Sequence, residues 1–293
     1  MARTSLHPRR TMRRLLHLFL AGLPALAGAQ QTPAARMMPD GSKDTYIGLG
    51  ISSAPRFKGA EDRDTDPALL VQAQWSNGVF LSGLSLGMHL SDAPTVEYGP
   101  LLAIEPGRHA SGSAKLSGVG GIGGIDTANI AGIVAPPAPR TAPRFNDVRS
   151  TPGAGAFFNY YFDENLRLTS NFLYGVGEGH NGLLLNLGVQ KSLPQLAAHH
   201  RLALSAGVTW ANGRYMREYF GLDPAVAGGT VSYTPSSGVR DVQLTLNWNW
   251  ELSNLWLLTT QLSATRLVGP AADSPYTERR TGIGVRTGLA YRF

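Results

Sequence analysis

Residues 242–252 read VQLTLNWNWEL. Val242, Leu244, Leu246, Trp248, Trp250 and Leu252 alternate with Gln243, Thr245, Asn247, Asn249 and Glu251. A period of two places successive side chains on opposite faces of a strand, so this segment has one apolar and one polar face. The pattern suits a half-buried strand of a soluble sheet. It equally suits a strand with lipid outside and water inside. The two tryptophans at one end bear on the choice, because an indole combines an apolar body with one N–H that needs a partner.

The same alternation recurs along the chain. Leu202, Leu204, Ala206, Val208 and Trp210 share one face of 202–210, and Leu166, Leu168, Phe172 and Tyr174 one face of 166–174. Phe80, Leu84, Leu86, Met88 and Leu90 do the same over 80–90, and Ile283 to Phe293 alternate with Gly284, Arg286, Gly288, Ala290 and Arg292. Twelve strands are expected: 44–53, 67–75, 78–90, 95–105, 152–162, 165–176, 181–192, 200–211, 213–220, 239–252, 254–267 and 281–293. No amphipathic-helix pattern competes with them. The stretch 106–150, with GVGGIGG and APPAPRTAP, reads as a long Gly/Pro-rich connector. Two strands within it would make fourteen, and loss of the weakest segments would make ten.

Composition narrows the class. Charged residues are 16% of 293, against roughly 25% in soluble domains. There is no cysteine, which excludes disulfides, thiolate metal sites and cysteine nucleophiles. Of the net charge of +6, five charges sit on Arg3, Arg9, Arg10, Arg13 and Arg14 in an acid-free leader, so the remainder carries +1. No basic patch is left for a nucleic-acid partner. The leader continues as LLHLFLAGLPALAGA, too short to span a bilayer, and Ala27-Gly28-Ala29 fits a signal-peptidase site. Residues 1–29 thus read as a cleaved signal peptide, 30–43 as an N-terminal periplasmic segment and 44–293 as the folded domain.

Export, absence of cysteine and strands long enough to cross a bilayer when tilted favour a membrane barrel over a soluble sandwich. The expected fold is all-β: a transmembrane antiparallel up-and-down β-barrel in the outer membrane, with its bilayer as the first partner. In this frame the turns at 76–77, 212 and 253 are periplasmic. Trp75, Trp210, Trp248, Trp250 and Trp256 flank them as an aromatic girdle, with Phe80, Tyr215, Tyr291 and Phe293 at the same level. Tyr160, Tyr161 and Phe162 fall at the opposite rim. The frame also puts the tight Asp163–Asn165 turn outside and the 106–150 connector inside, the reverse of ordinary barrels. Arg167, Arg201, Gln243, Asn247, Glu251, Arg286 and Arg292 point into the lumen, where Glu251 and Arg292 are placed to pair.

Several stretches resemble the MipA/OmpV family of outer-membrane proteins. They are YIGLGISSAPRFKGAE (46–61), Gly107-Arg108, KLSG (115–118), HNGLLLNLGVQKSLP (180–194), REYFGLDPAVAGGT (217–230), RLVGPAADSPYTER (266–279) and the terminal GLAYRF. Pro270 stands where the family commonly has aspartate, and 125–150 looks expanded. The resemblance implies a barrel without known catalysis. It implies a scaffold that engages a murein lytic transglycosylase and a bifunctional penicillin-binding protein. Tyr291-x-Phe293 resembles the C-terminal signal read by the barrel-assembly machinery.

Motifs for catalysis are weak. GLSLG (83–87) matches G-x-S-x-G but lies within an expected strand, and Ser85 and His89 stand about 13 Å apart along it. GVGGIG (118–123) lacks a strand–helix context. His199-His200 has no further ligands at metal spacing. No catalytic, cofactor or metal site is therefore assigned. The expected function is a scaffold barrel, with a small-solute channel as the alternative and a membrane hydrolase as a distant third. N-terminal sequencing of the exported protein should begin at Gln30.

Overall fold

Each long alternating segment becomes a strand. The computed structural model describes residues 45–91, 93, 95–108, 114–117, 131–132, 148–176, 182–194, 197–224 and 232–293. The expected signal peptide, the 30–43 segment, GVGGIG and most of the 106–150 connector lie outside the described residues. The strands are β1 (Tyr46–Pro55), β2 (Arg63–Gln74), β3 (Val79–Ser82), β4 (Ser85–Met88), β5 (Val96–Glu105), β6 (Ala114–Ser117) and β7 (Ala131–Gly132). They continue as β8 (Thr151–Tyr161), β9 (Leu166–Gly175), β10 (Leu183–Ser192), β11 (His200–Ala211), β12 (Gly238–Glu251), β13 (Trp256–Leu267) and β14 (Thr281–Arg292). Two helices, α1 (Gly213–Phe220) and α2 (Gly269–Ala272), follow β11 and β13.

Twelve of these strands form a closed antiparallel barrel. β1 to β5 and then β8 to β14 each pair with the next, and β14 returns to β1 from Tyr46↔Arg292 to Ser53↔Val285. Short β6 lies parallel to β2 at Ala68–Leu70, with β7 beside it. Ile47, Leu49, Leu102, Phe158, Leu187 and Leu262 are exposed on the outer wall, while Ser52, Gln72, Asn159, Thr245 and Asn247 are buried inside. Apolar-out and polar-in is the arrangement of an outer-membrane-type barrel. On β12, Leu244 is 49% exposed and Thr245 is 1% exposed, which settles which face of VQLTLNWNWEL looks outward.

The total of twelve was expected, but two of its segments differ. Residues 78–90 are a hairpin, β3 and β4, turning at Gly83 (φ 58) and Leu84. Ser82 pairs with Ser85, so the turn inverts the alternation: Phe80 is buried, whereas Leu86 and Met88 are exposed. GLSLG is thus a strand–turn–strand, not the strand-to-helix turn of a nucleophile elbow. The segment 213–220 is helix α1, not a strand. The two differences cancel in the count and reverse every strand between them.

The reversal removes the conflict in the expected loops. β1 begins and β14 ends at one end of the barrel, together with the connections 75–78, 89–95, 162–165, 193–199 and 252–255. The opposite end carries 56–62, the roots of 106–150, and the long connections 212–237 and 268–280. Hence Asp163–Asn165 belongs with the short turns and 106–150 with the long loops. Tyr160, Tyr161 and Phe162 move to the end of Trp248 and Trp250, and Trp210 moves to the long-loop end.

Closure brings β1 and β14 very close. A Cβ added at Gly50 would lie 2.2 Å from the Thr287 carbonyl oxygen, so a side chain there displaces backbone. Gly50→Val is expected to destabilise the barrel by about 1–3 kcal/mol or more. The measurement is the urea midpoint of the heat-modifiable folded band, and an unchanged midpoint would contradict this close approach.

Candidate functional site

The long-loop end is occupied by a plug built from α1 and α2. The N-cap of α1 is Asn212, whose side chain accepts from the Tyr215 amide at 3.0 Å. Tyr215, Met216, Tyr219 and Phe220 form one helical face and are buried, while Arg214, Arg217 and Glu218 remain outside. They pack with Val148, Leu184, Leu267, Ala271 and Ala272. The last carbonyls of α1 have no helical partners of their own. Arg108 Nη1 donates to the Tyr219 carbonyl, and Ser274 Oγ donates to that of Phe220 at 2.7 Å. A cation at a helix C-terminus also meets the negative end of the helix dipole. The Arg108 guanidinium stacks 4.4 Å from the Tyr276 ring centre.

A β-bulge anchors this plug to the wall. Thr209 pairs with Asp241 but Trp210 pairs with Val239, so Arg240 is an extra residue. The bulge turns both Arg240 and Asp241 inward, where both are buried. Arg240 Nε donates to Asp241 Oδ2 at 2.5 Å, and Lys58 Nζ lies 3.7 Å from the same oxygen. Arg240 Nη1 donates to Tyr215 Oη at 2.6 Å, and that hydroxyl donates to Glu105 Oε1 at 2.9 Å. Burial pushes the Tyr215 phenol well above its ordinary range, a shift that Arg240 opposes and Glu105 reinforces. Burial raises the Tyr219 phenol likewise.

Below the plug, a cavity of about 110 Å³ lies against β1, β13 and β14. Arg56, Lys58, Arg108, Arg280 and Arg286 line it, with Glu105 as the acid among the described residues of the lining. Nearer the short-turn end the interior is filled by polar contacts. Arg167 is buried and donates twice to Gln190 Oε1, at 2.9 and 2.5 Å, and to Tyr161 Oη at 3.0 Å. Asn159 Nδ2 donates to Glu97 Oε2 at 3.1 Å. Towards the long-loop end, the chain Thr209–Asn186–Asn171 is linked by two bonds of 2.8 Å.

The residues expected in the lumen occupy different surroundings. Arg167 and Asn247 are buried inside, and Gln243 shares their inward phase on β12. Arg286 donates to Gln261 at 3.0 Å in the cavity wall. Glu251 pairs with Arg201 at 2.8 Å on the neighbouring strand. Arg292 ends β14, and its amide donates to the Leu255 carbonyl at 2.9 Å.

The aromatic residues also divide. Trp75, Trp250 and Trp256 are exposed at the short-turn end. Trp248 Nε1 donates to His200 Nδ1 at 3.1 Å, and the His200 ring stacks on both Trp248 and Trp250. Tyr291 meets Trp256 and Phe293 edge-on, with centres 5.1 and 5.0 Å apart. Phe80 is interior rather than at the outer rim, packing on His89 at 4.8 Å and Phe157 at 5.5 Å. Tyr215 belongs to the plug. Among the described residues, no cluster of three or more metal-ligating side chains occurs.

The sequence profile of the MltA-interacting protein MipA family matches residues 47–293. The chain belongs to this family. No curated protein matches it. Among solved structures it is similar to the KdgM porin at 9% identity, over 85% of this chain and 99% of that one, with a TM-score of 0.42. The NanC porin is similar at 8%, over 84% and 100%, with a TM-score of 0.46. A bacterial polysaccharide outer membrane secretin is similar at 10%, over 85% and 98%, with a TM-score of 0.45.

Sequence reasoning missed Glu105, Arg240, Asp241 and Tyr215 as a group. A helix signal was present: Asn212 before apolar pairs at 215/216 and 219/220. Nothing local marked the bulge. Because the folded phenol is raised, the unfolded chain loses that proton first, and this stabilisation declines as pH rises past about 10. Difference absorbance at pH 11 is therefore expected to show the same tyrosinate signal in wild type and Tyr215→Phe. A smaller signal in the variant would show that Tyr215 ionises like a free phenol.

Proposed function

We propose that the protein is an outer-membrane barrel that serves as a scaffold for murein-processing enzymes, with its short-turn end facing the periplasm. The observation that carries this over a permanently open channel is α1, seated in the mouth and held by Arg108, Arg240 and Glu105. A scaffold needs a rigid, anchored face and no aqueous path. The family description, MltA-interacting protein, supports a lytic transglycosylase as partner. The apolar outer wall supports lipid around it, with Trp75, Trp250, Trp256, Tyr291 and Phe293 as the periplasmic girdle and Trp210 at the other rim. Tyr291 and Phe293 also suit the signal for the barrel-assembly machinery. Arg201, Gln243, Glu251 and Arg292 brace the wall and solvate its lower interior in this reading.

Two measurements test the proposal together. The purified protein in planar bilayers should give no steady conductance, and affinity capture from cross-linked cells should recover a murein lytic transglycosylase. Steady ohmic conductance with no murein enzyme recovered would establish the channel instead.

A further inference from the structure

The chamber under the plug owes its volume to bare walls. Ser52, Ala54, Ser263, Thr265, Gly282 and Gly284 face it from β1, β13 and β14. At Gly284 a Cβ would already stand 2.7 Å from Ser263 Oγ, so this wall is thin by sequence. Three successive inward positions of β14, Gly282, Gly284 and Arg286, span roughly 14 Å of depth. Arg280 and Lys58 stand at the long-loop end of the flanking strands, and Arg286 with Gln261 lies further along them.

Among the described residues, the charge facing this space is one-sided. Arg56 pairs with Asp62 and Asp64, Lys58 with Asp241, and Arg280 with Asp273. None of these four carboxylates lines the chamber. Asp62 and Asp273 have side chains 68% and 64% exposed, turned to solvent. Glu105 does line it, but accepts from Tyr215 and lies 3.6 Å from Arg240. A solute inside therefore meets Arg56, Lys58 and Arg280, whose carboxylate partners among the described residues do not line the chamber. It also meets hydroxyl and amide groups of Ser52, Ser263, Thr265 and Gln261, and the rings of Phe57 and Tyr219.

We propose that this chamber is a binding site for an oxyanion carried on a hydroxylated body, a carboxylate- or phosphate-bearing sugar. Guanidinium groups bind both oxyanions through paired donors. The wall hydroxyls and Gln261 engage the body. The site lies at the end opposite the enzyme-facing turns and stands independently of the scaffold role.

The test is calorimetric titration of the detergent-solubilised full-length protein at low salt with glucose 6-phosphate and with glucuronate, and with glucose as the neutral control. Saturable binding of either anion but not of glucose is expected, and which anion binds identifies the group. Arg286→Gln removes a deep charge, and Thr265→Trp fills the space with every charge kept. Each should weaken binding at least about tenfold, the loss of a charge-assisted bond or of the volume itself. Retention of the heat-modifiable band shows that a variant is folded, and either variant alone suffices. Absence of saturable binding by both anions, equal binding of glucose, or undiminished affinity in the folded variants would overturn the proposal.

Discussion

Closure of the sheet is the constraint on which the rest of this protein depends. An open sheet leaves a row of unpaired N–H and C=O groups on each edge, and in lipid each costs several kcal/mol. Pairing β1 with β14 over Tyr46↔Arg292 to Ser53↔Val285 removes both edges of the ring. The close approach at Gly48 and Gly50 follows, since added Cβ atoms would lie 2.3 and 2.2 Å from backbone oxygens of β14. The same closure divides all side chains into an outer apolar set and an inner set that must fill or solvate the lumen.

The inner set meets that demand differently along the axis. Near the short turns, Arg167 donates to Gln190 and Tyr161, and Asn159 donates to Glu97. At the other end a helix enters, and its own backbone ends must be satisfied. Arg108 and Ser274 take the final carbonyls, while Arg240 and Glu105 share the Tyr215 hydroxyl. Residues 217–220 and 269–274, each from a segment that resembles the family, therefore meet in one plug. Buried polar groups of this kind are costly when left without partners, which ties helix, bulge and connector root together.

Much of the wall was legible from residue alternation. It worked on β11, β12, β13 and β14 because each is long, with one face uniformly apolar. It failed at 78–90 because a two-residue turn inverts the phase, and Phe80 is apolar yet interior. It failed at 213–220 because an eight-residue helix is scarcely longer than a strand, and the helical face of Tyr215, Met216, Tyr219 and Phe220 was outweighed by the strands around it. These two segments bracket β5 to β11. Misreading both preserved the strand number and inverted the direction of everything between, including Trp210 and Tyr160–Phe162.

The sequence by itself determined the class of fold, the outward face of VQLTLNWNWEL, and the family, because these rest on local periodicity and on matching segments. Only the tertiary structure decided which end of the barrel each turn belongs to, since strand direction accumulates over every preceding reversal. It also decided the plug and the chamber. Glu105, Tyr215 and Arg240 are far apart in the chain, and the bulge that aims Arg240 inward exists only in the pairing of β11 with β12. The chamber is the volume left where Gly282, Gly284, Ser52 and Ser263 from three adjacent strands face the same space, and closure of the ring brings Ser52 of β1 to the β13–β14 hairpin.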